Sequence, residues 1–347
     1  MADIPFPALP PLPPLPTMGV GSMAAPGWFI ASWRAARKGE WGAHDIEELF
    51  EDATRTVVAD QRDAGVDIVS DGELRRQRFV YEMFDRLSGL DRVAPRRRLG
   101  IAGYDMAPHF TVAGAIDAPD GLGAVEEFAL LKALAPDIPL KVAIPGPLTF
   151  LQAIEPDGGS HDAAIDRLAA IVRAELVALA EAGAALVQID EPGLPRAPHG
   201  LSFAECADVI GRCLDGVAAR TAVHVCFGNN AGRPFADRRI GPMMDAVRAL
   251  PCDILMFEFA NREMAELELM AALADRFAIA AGVIDVKNFL VEDADTVARR
   301  IEQCLEHIPA GALWITADCG FSALPRYIAQ RKLKAMTAGA AQARAAL

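Results

Sequence analysis

Eight short runs of apolar and β-branched residues recur along the chain, and most of the stretches between them carry the apolar spacing of amphipathic helices. The runs are MGVGS (18–22), DIVSDGE (67–73), LKVAIPG (140–146), ALVQIDEP (185–192), AVHVCF (222–227), ILMFEFA (254–260), IAAGVIDV (279–286) and LWITADCG (313–320). Intervening segments such as DAAIDRLAAIVRAELVALAEAGA (162–184) and DADTVARRIEQCLEHI (293–308) are rich in Ala and helical in period. Strands that alternate with helices imply a parallel sheet, because each helix carries the chain back to the end of the sheet where the next strand begins. Eight such units within 347 residues predict an α/β fold of the closed (β/α)8 barrel type.

The rhythm breaks once. Residues 90–135 include RVAPRRRLGIAGYDMAPHFTVAGAID, which is loop-like with two short β-prone runs and predicts a hairpin inserted over the barrel mouth, as a lid after the second strand. Residues 1–16 are dominated by proline and read as an extended polyproline II arm. The expected plan is therefore that arm followed by one barrel over 17–347.

Composition narrows the function. A net charge of −13 argues against nucleic acid as a partner, since phosphate binding needs a basic face. Arginines at 75, 76, 78, 92, 96, 97 and 98 crowd the inserted segment, either as a solvated surface or as an attraction for an anionic tail. No apolar stretch reaches the roughly 18–20 residues that span a bilayer, and the N-terminus lacks the charged and apolar regions of a signal peptide. A cytoplasmic protein with no membrane association is expected. Six cysteines are too sparse for a disulfide framework and are expected as thiols.

In (β/α)8 enzymes the chemistry lies at the C-terminal ends of the strands, and here those ends are polar. His224 and Cys226 stand two residues apart, so on a strand they project to one face. Alone that pair proves little, because buried Cys and satisfied His are common. Glu258 and Cys319 end two later runs, and one His, two Cys and one Glu make a donor set that zinc prefers. Taken singly, Glu258 reads better as the partner of a barrel Arg or Lys, and Cys319 as a small apolar filler. The remaining cysteines offer no competing set: Cys206, Cys213 and Cys304 fall in helical stretches and Cys252 precedes its strand. Glu73, Asp190 and Glu191 close two more runs, where a carboxylate either caps the next helix or recognises a cationic ammonium group.

Together the H-x-C after TAV, the glutamate of DILMFE, the late DCG, and the QIDEP, VSDGE and GVGS runs resemble the cobalamin-independent methionine synthase family. The chain is similar to the short, single-barrel members that correspond to the catalytic C-terminal half of the long enzymes, over nearly all of residues 17–340. The resemblance implies a zinc ion held by His224, Cys226, Glu258 and Cys319. It also implies that homocysteine binds through its thiol at zinc, its amino group at Glu73 and Asp190, and its carboxylate at Ser22. The chemistry is coherent, since a free thiol with a pKa of about 8.5 is mostly protonated at neutral pH, whereas a metal-bound thiol is deprotonated.

The family's methyl donor, 5-methyltetrahydrofolate, needs its leaving nitrogen protonated. Long members carry an Asp-x-His motif after the seventh strand for this step; here GVIDVKN keeps Asp285 and places Lys287 where the histidine would be. Lys287 could act as the acid, pair with Asp285, or mark a different donor such as a methylcorrinoid, free or protein-bound. Two further readings stand beside methylation of homocysteine. One is a zinc alkyltransferase with another small thiol acceptor, for example epoxide opening by a sulfonated thiol. The other is a non-catalytic zinc-binding or thiol-carrying partner of another enzyme.

Overall fold

The structure is a computed structural model that describes residues 9, 11–76, 79–95, 107–155, 162–229 and 232–347. Most of the proline arm, together with Arg78, Arg96, Arg97 and Arg98, lies outside the described residues. The elements run α1 (Gly27–Ala36), α2 (Ala43–Ala64), α3 (Val80–Met83), β1 (Ser88–Val93), β2 (His109–Asp117), α4 (Ala124–Leu134), β3 (Lys141–Pro145), α5 (Pro147–Leu151) and α6 (Asp162–Glu181). They continue with β4 (Leu186–Asp190), α7 (Phe203–Leu214), β5 (Arg220–Val225), α8 (Met244–Ala249), β6 (Ile254–Glu258), β7 (Ala278–Ile284), α9 (Ala294–Leu305), β8 (Leu313–Ala317) and α10 (Arg326–Ala345). This is an α/β fold with parallel strand pairing.

Six of the eight apolar runs form strands, whereas the first two make only isolated parallel bridges, Met18 to Ile68, Val69 to Leu140 and Thr17 to Ile315. Side chains intercept the backbone groups that a longer ladder would need. The Gln61 amide takes both the N–H and the carbonyl of Ser70, at 3.0 and 2.8 Å. Lys141 Nζ donates to Gly19 O and Ser70 Oγ to Gly21 O, each at 2.7 Å.

The chain forms two compact units. One gathers the described residues of 78–125 and 143–255; the other gathers those of 9–77, 126–142 and 256–347. In the first, β4 and β5 pair in parallel with Asp190 opposite His224. Every residue of β4 is buried, as strands covered on both faces must be. β1 and β2 form an antiparallel ribbon in the interval where the sequence predicts an inserted hairpin. Its register shifts around Gly89, which has φ 77°, and a Cβ there would overlap the Ala115 carbonyl, so only glycine fits this bulge. The ribbon is tied to its own unit by Phe110, which exchanges backbone hydrogen bonds with Ala153 and Glu155 and stacks on Phe84 at 3.8 Å. Ser202 and Glu205 form a capping box that starts α7.

In the second unit β7 and β8 pair in parallel, and the bridges at Thr17, Met18, Ile68 and Val69 continue the same pairing. Helix α2 turns its apolar stripe, including Leu49, Phe50, Ala53 and Val57, inward and ends at Gly65 in the left-handed conformation that glycine favours. Leu15, at the end of the proline-rich segment, is fully buried, and Arg344 on α10 donates to the carbonyls of Pro14 and Leu15. Of the described arginines near the insertion, Arg75 pairs with Glu47, Arg76 is buried beside Glu127, and Arg92 pairs with Asp85. Among the described residues no helix is long and apolar enough to cross a membrane.

Candidate active site

In the first unit the polar groups sit at the ends of β4 and β5. The register that sets Asp190 opposite His224 brings the Asp190 Oδ1 atom to 3.0 Å from His224 Nδ1. Gln188, two residues earlier on the same face of β4, donates to that oxygen at 2.6 Å. Asp190 accepts, so the imidazole donates from Nδ1, and in the neutral ring the lone pair is on Nε2. Cys226 is buried, and its sulfur accepts from Gly228 N at 3.2 Å.

Glu191, the next residue after Asp190, turns the other way. Its carboxylate is wholly buried, where it accepts from Thr149 Oγ1 at 2.6 Å, Leu148 N at 3.1 Å and Gly193 N at 3.2 Å. Burial outweighs these donors and pushes its pKa up to about 8. Neither carboxylate caps the helix that follows. Asp190 holds the histidine and Glu191 fastens the turn into α5.

The second unit carries a row of strand ends. Met23 N donates to Gly72 O and Phe321 N to Ser22 O, so Ser22 lies between the segment that bears Glu73 and the one that bears Cys319. A Cβ on Gly320 would overlap Ser22 Oγ, so glycine is what lets the two segments approach. Glu73 is buried and has φ 58°, a strained conformation for a non-glycine residue, with its N–H on Asp71 Oδ1 at 3.2 Å. Behind it Arg76 lies 2.9 Å from Glu127 and 3.9 Å from Asp71. Burial raises the Glu127 pKa to about 7 against the pull of that guanidinium.

At the end of β6, Glu258 is fully buried, and its Oε2 accepts from Lys287 Nζ at 2.5 Å. The ion pair weighed for Glu258 from the sequence is therefore present, and the partner is the lysine singled out after the seventh run. Asp285 accepts from the Lys287 backbone, with Lys287 N on Asp285 Oδ1 at 2.8 Å, and its other oxygen takes the Asn288 side chain. Cys319 is half-buried at the end of β8.

Three supporting groups carry no role in the sequence reading. Asp318, beside Cys319, accepts from the backbone N–H groups of Phe259, Ala260 and Asn261 at 2.6–2.9 Å and so fixes the chain just after Glu258. Lys332 on α10 is buried and donates to Asp285 O at 2.7 Å and Glu292 Oε2 at 2.8 Å, while Glu292 Oε1 accepts from Asp285 N at 2.9 Å. Gln188 is the third. Each had a signal: Gln188 shares the face of Asp190, Asp318 adjoins a candidate ligand, and Lys332 interrupts the apolar stripe of α10 formed by Ile328, Ala329, Leu333 and Met336.

Within the first unit the structure thus joins Asp190, His224 and the neighbouring Cys226. Within the second it aligns Ser22, Glu73, Glu258, Asp285, Lys287 and Cys319 along neighbouring strand ends. Among the described residues no group of three or more His, Cys, Asp or Glu is arranged to hold a metal ion.

Residues 15–342 match the family described as Cobalamin-independent synthase, Catalytic domain. The methionine synthase of Saccharolobus solfataricus is 32% identical over 92% of this chain and 92% of its own length. That of Sulfurisphaera tokodaii is 31% identical over 92% and 90%. Among solved structures, a B12-independent methionine synthase from a Shewanella species in complex with selenomethionine superposes with a TM-score of 0.79 at 26% identity, covering 96% of this chain and 98% of that one. A methyltransferase from Methanosarcina mazei, 15% identical with a TM-score of 0.62 over 97% and 95% of the two chains, shares the fold. The chain belongs to the cobalamin-independent methionine synthase family and spans its catalytic domain.

Proposed function

We propose that this protein is a zinc-dependent S-methyltransferase that places a methyl group on the thiol of homocysteine to form methionine. The observation that carries the reading is the Asp190–His224 pair with Cys226 two residues beyond, in a chain of this family. Carboxylate-held histidines are a hallmark of metal ligation, because the second nitrogen is left aimed and basic. The proposed ligands are His224, Cys226, Glu258 and Cys319.

The donor set fits zinc on two further counts. Two sulfurs, an imidazole and a carboxylate suit its borderline softness. Glu258 Oε1 is buried and takes no hydrogen bond from any described residue, as an oxygen reserved for a cation would be. Zinc bound there would keep the homocysteine sulfur as a thiolate. The protein's own groups do the rest. Glu73 and Asp190 receive the amino group; both side-chain contacts described for Asp190 fall on Oδ1. Ser22 receives the carboxylate, and Asp285 with Lys287 serves the donor side, where a proton must reach the leaving group.

The donor we propose is 5-methyltetrahydrofolate or a methylcorrinoid, free or protein-bound. A (β/α)8 barrel over residues 17–347, led by the proline-rich arm of 1–16 and with the β1–β2 ribbon as a lid inserted after the second strand, is the architecture we propose for the whole. The match over 15–342 and the Shewanella superposition support it. That relative is described with selenomethionine, the selenium counterpart of the proposed product, which supports a methionine-shaped site.

The test is transfer of a labelled methyl group to homocysteine by the zinc-loaded protein, with methyltetrahydrofolate carrying one or several glutamates compared against methylcobalamin. Transfer from either is the expected result. No transfer from any donor, with no calorimetric binding of homocysteine, overturns the proposal and leaves the alternative thiol acceptors.

A further inference from the structure

Glu258 uses its two oxygens unequally. Oε2 accepts from Lys287 Nζ at 2.5 Å, in an ion pair whose carboxylate is fully excluded from solvent and whose lysine is 6% exposed. Oε1 is equally buried and has no hydrogen bond from a described residue. A buried acceptor without a donor loses its hydration and gains nothing in return, so a fold that needed Glu258 only as a salt-bridge partner would gain by satisfying both oxygens. The root of the lysine is rigid as well. Its backbone N–H is held by Asp285 Oδ1 at 2.8 Å, and Asp285 is clamped on both backbone groups, its N–H by Glu292 and its carbonyl by Lys332. Arg300 secures the same segment from α9, donating to Val283 O at 2.6 Å and to Glu292 Oε1 at 3.2 Å. The ammonium therefore reaches Glu258 from a fixed base.

We infer that Lys287 is a positioning residue for Glu258: by holding Oε2 it presents Oε1 as the single carboxylate oxygen offered to the metal. This rests on the zinc reading above and goes beyond it, because the sequence assigns Lys287 only to the methyl-donor side or to Asp285. The physical consequence is twofold. A carboxylate with one oxygen tethered cannot swing into a two-oxygen mode, and it loses little orientational freedom when the ion binds. The ammonium also offsets the burial of the carboxylate charge. Its own charge opposes a nearby cation, so the sign of the net effect is itself diagnostic.

The experiment is a double-mutant cycle on the full-length protein, with zinc affinity read by competition against a chromogenic chelator. Variants are Lys287→Met, Lys287→Arg, Glu258→Gln and Lys287→Met with Glu258→Gln; circular dichroism checks the fold of each. Lys287→Met and Glu258→Gln should each weaken zinc binding by about 10- to 100-fold, the usual effect of removing a partner or an outer support of a ligand. Lys287→Arg should recover most of the affinity, and Lys287→Met should add little in the Glu258→Gln background. If Lys287→Met does not fold, Lys287→Gln replaces it in the same cycle. Unchanged or tighter zinc binding in Lys287→Met, or full additivity in the double variant, overturns the inference while leaving the ligand set intact. Unchanged affinity in Glu258→Gln removes the ligand set itself.

Discussion

Replacing Glu191 with glutamine should remove one component of the fall in stability expected between about pH 4.5 and 8, beside those of buried Glu127 and Asp318. The carboxylate is completely buried, and its pKa is pushed from the ordinary 4.5 to about 8 by burial. Over that window the folded protein keeps the proton that the unfolded chain has released, so stability is highest at the acid end and falls as pH rises. At about 1.4 kcal/mol per pH unit, the span from 4.5 to about 8 sets a ceiling of about 5 kcal/mol. The neutral acid has somewhere to put its proton. It can donate to Thr149 Oγ1, 2.6 Å away, while the Thr149 hydroxyl turns to the Asp190 carbonyl at 3.4 Å. A glutamine amide can make the same donation without ever carrying charge. Denaturant unfolding of both proteins at pH 5, 7 and 9 should give similar stabilities at pH 5 and a difference of a few kcal/mol in favour of Glu191→Gln at pH 9. A stability difference that does not change with pH would refute the assignment of a proton to buried Glu191.

Other consequences can be checked separately. Cys226→Ser and Cys319→Ser should each lose the metal while keeping the native far-UV circular dichroism, because the strand and helix core does not depend on either sulfur; elemental analysis reads the first and the spectrum the second. Gly320→Ala should raise the KM for homocysteine more than it lowers kcat, since the added Cβ displaces Ser22 Oγ, the proposed carboxylate anchor. Lys332→Met should cost about 3–5 kcal/mol of unfolding free energy, as expected when one partner of a buried ion pair is removed and Glu292 keeps its charge.

Much of this protein is legible without coordinates. Apolar runs and helical spacing are local properties, and they mark six strands to within three residues and the long helices α6 and α9. The irregular interval read over residues 90–135 overlaps the β1–β2 ribbon. The first two runs were less readable, because the Gln61 side chain from the preceding helix and the Lys141 side chain from the third run take their backbone groups and leave no periodic trace.

The site divides along the same line. Residue type and place at a strand end were enough to single out His224, Cys226, Glu258, Cys319, Glu73 and Asp190 as candidates, because two-residue periodicity fixes which side chains share a face, whereas Ser22 came only from the family resemblance. Partnership was not determined by the sequence. That Asp190 holds His224 follows from the β4–β5 register, and that the Lys287 ammonium reaches Glu258 follows from the path of the chain after β7. The opposed roles of Asp190 and Glu191 follow from neighbouring side chains on a strand facing opposite ways. Composition and spacing choose the chemical groups along the chain; only tertiary packing decides which hydrogen bonds they exchange and which charges are left without water.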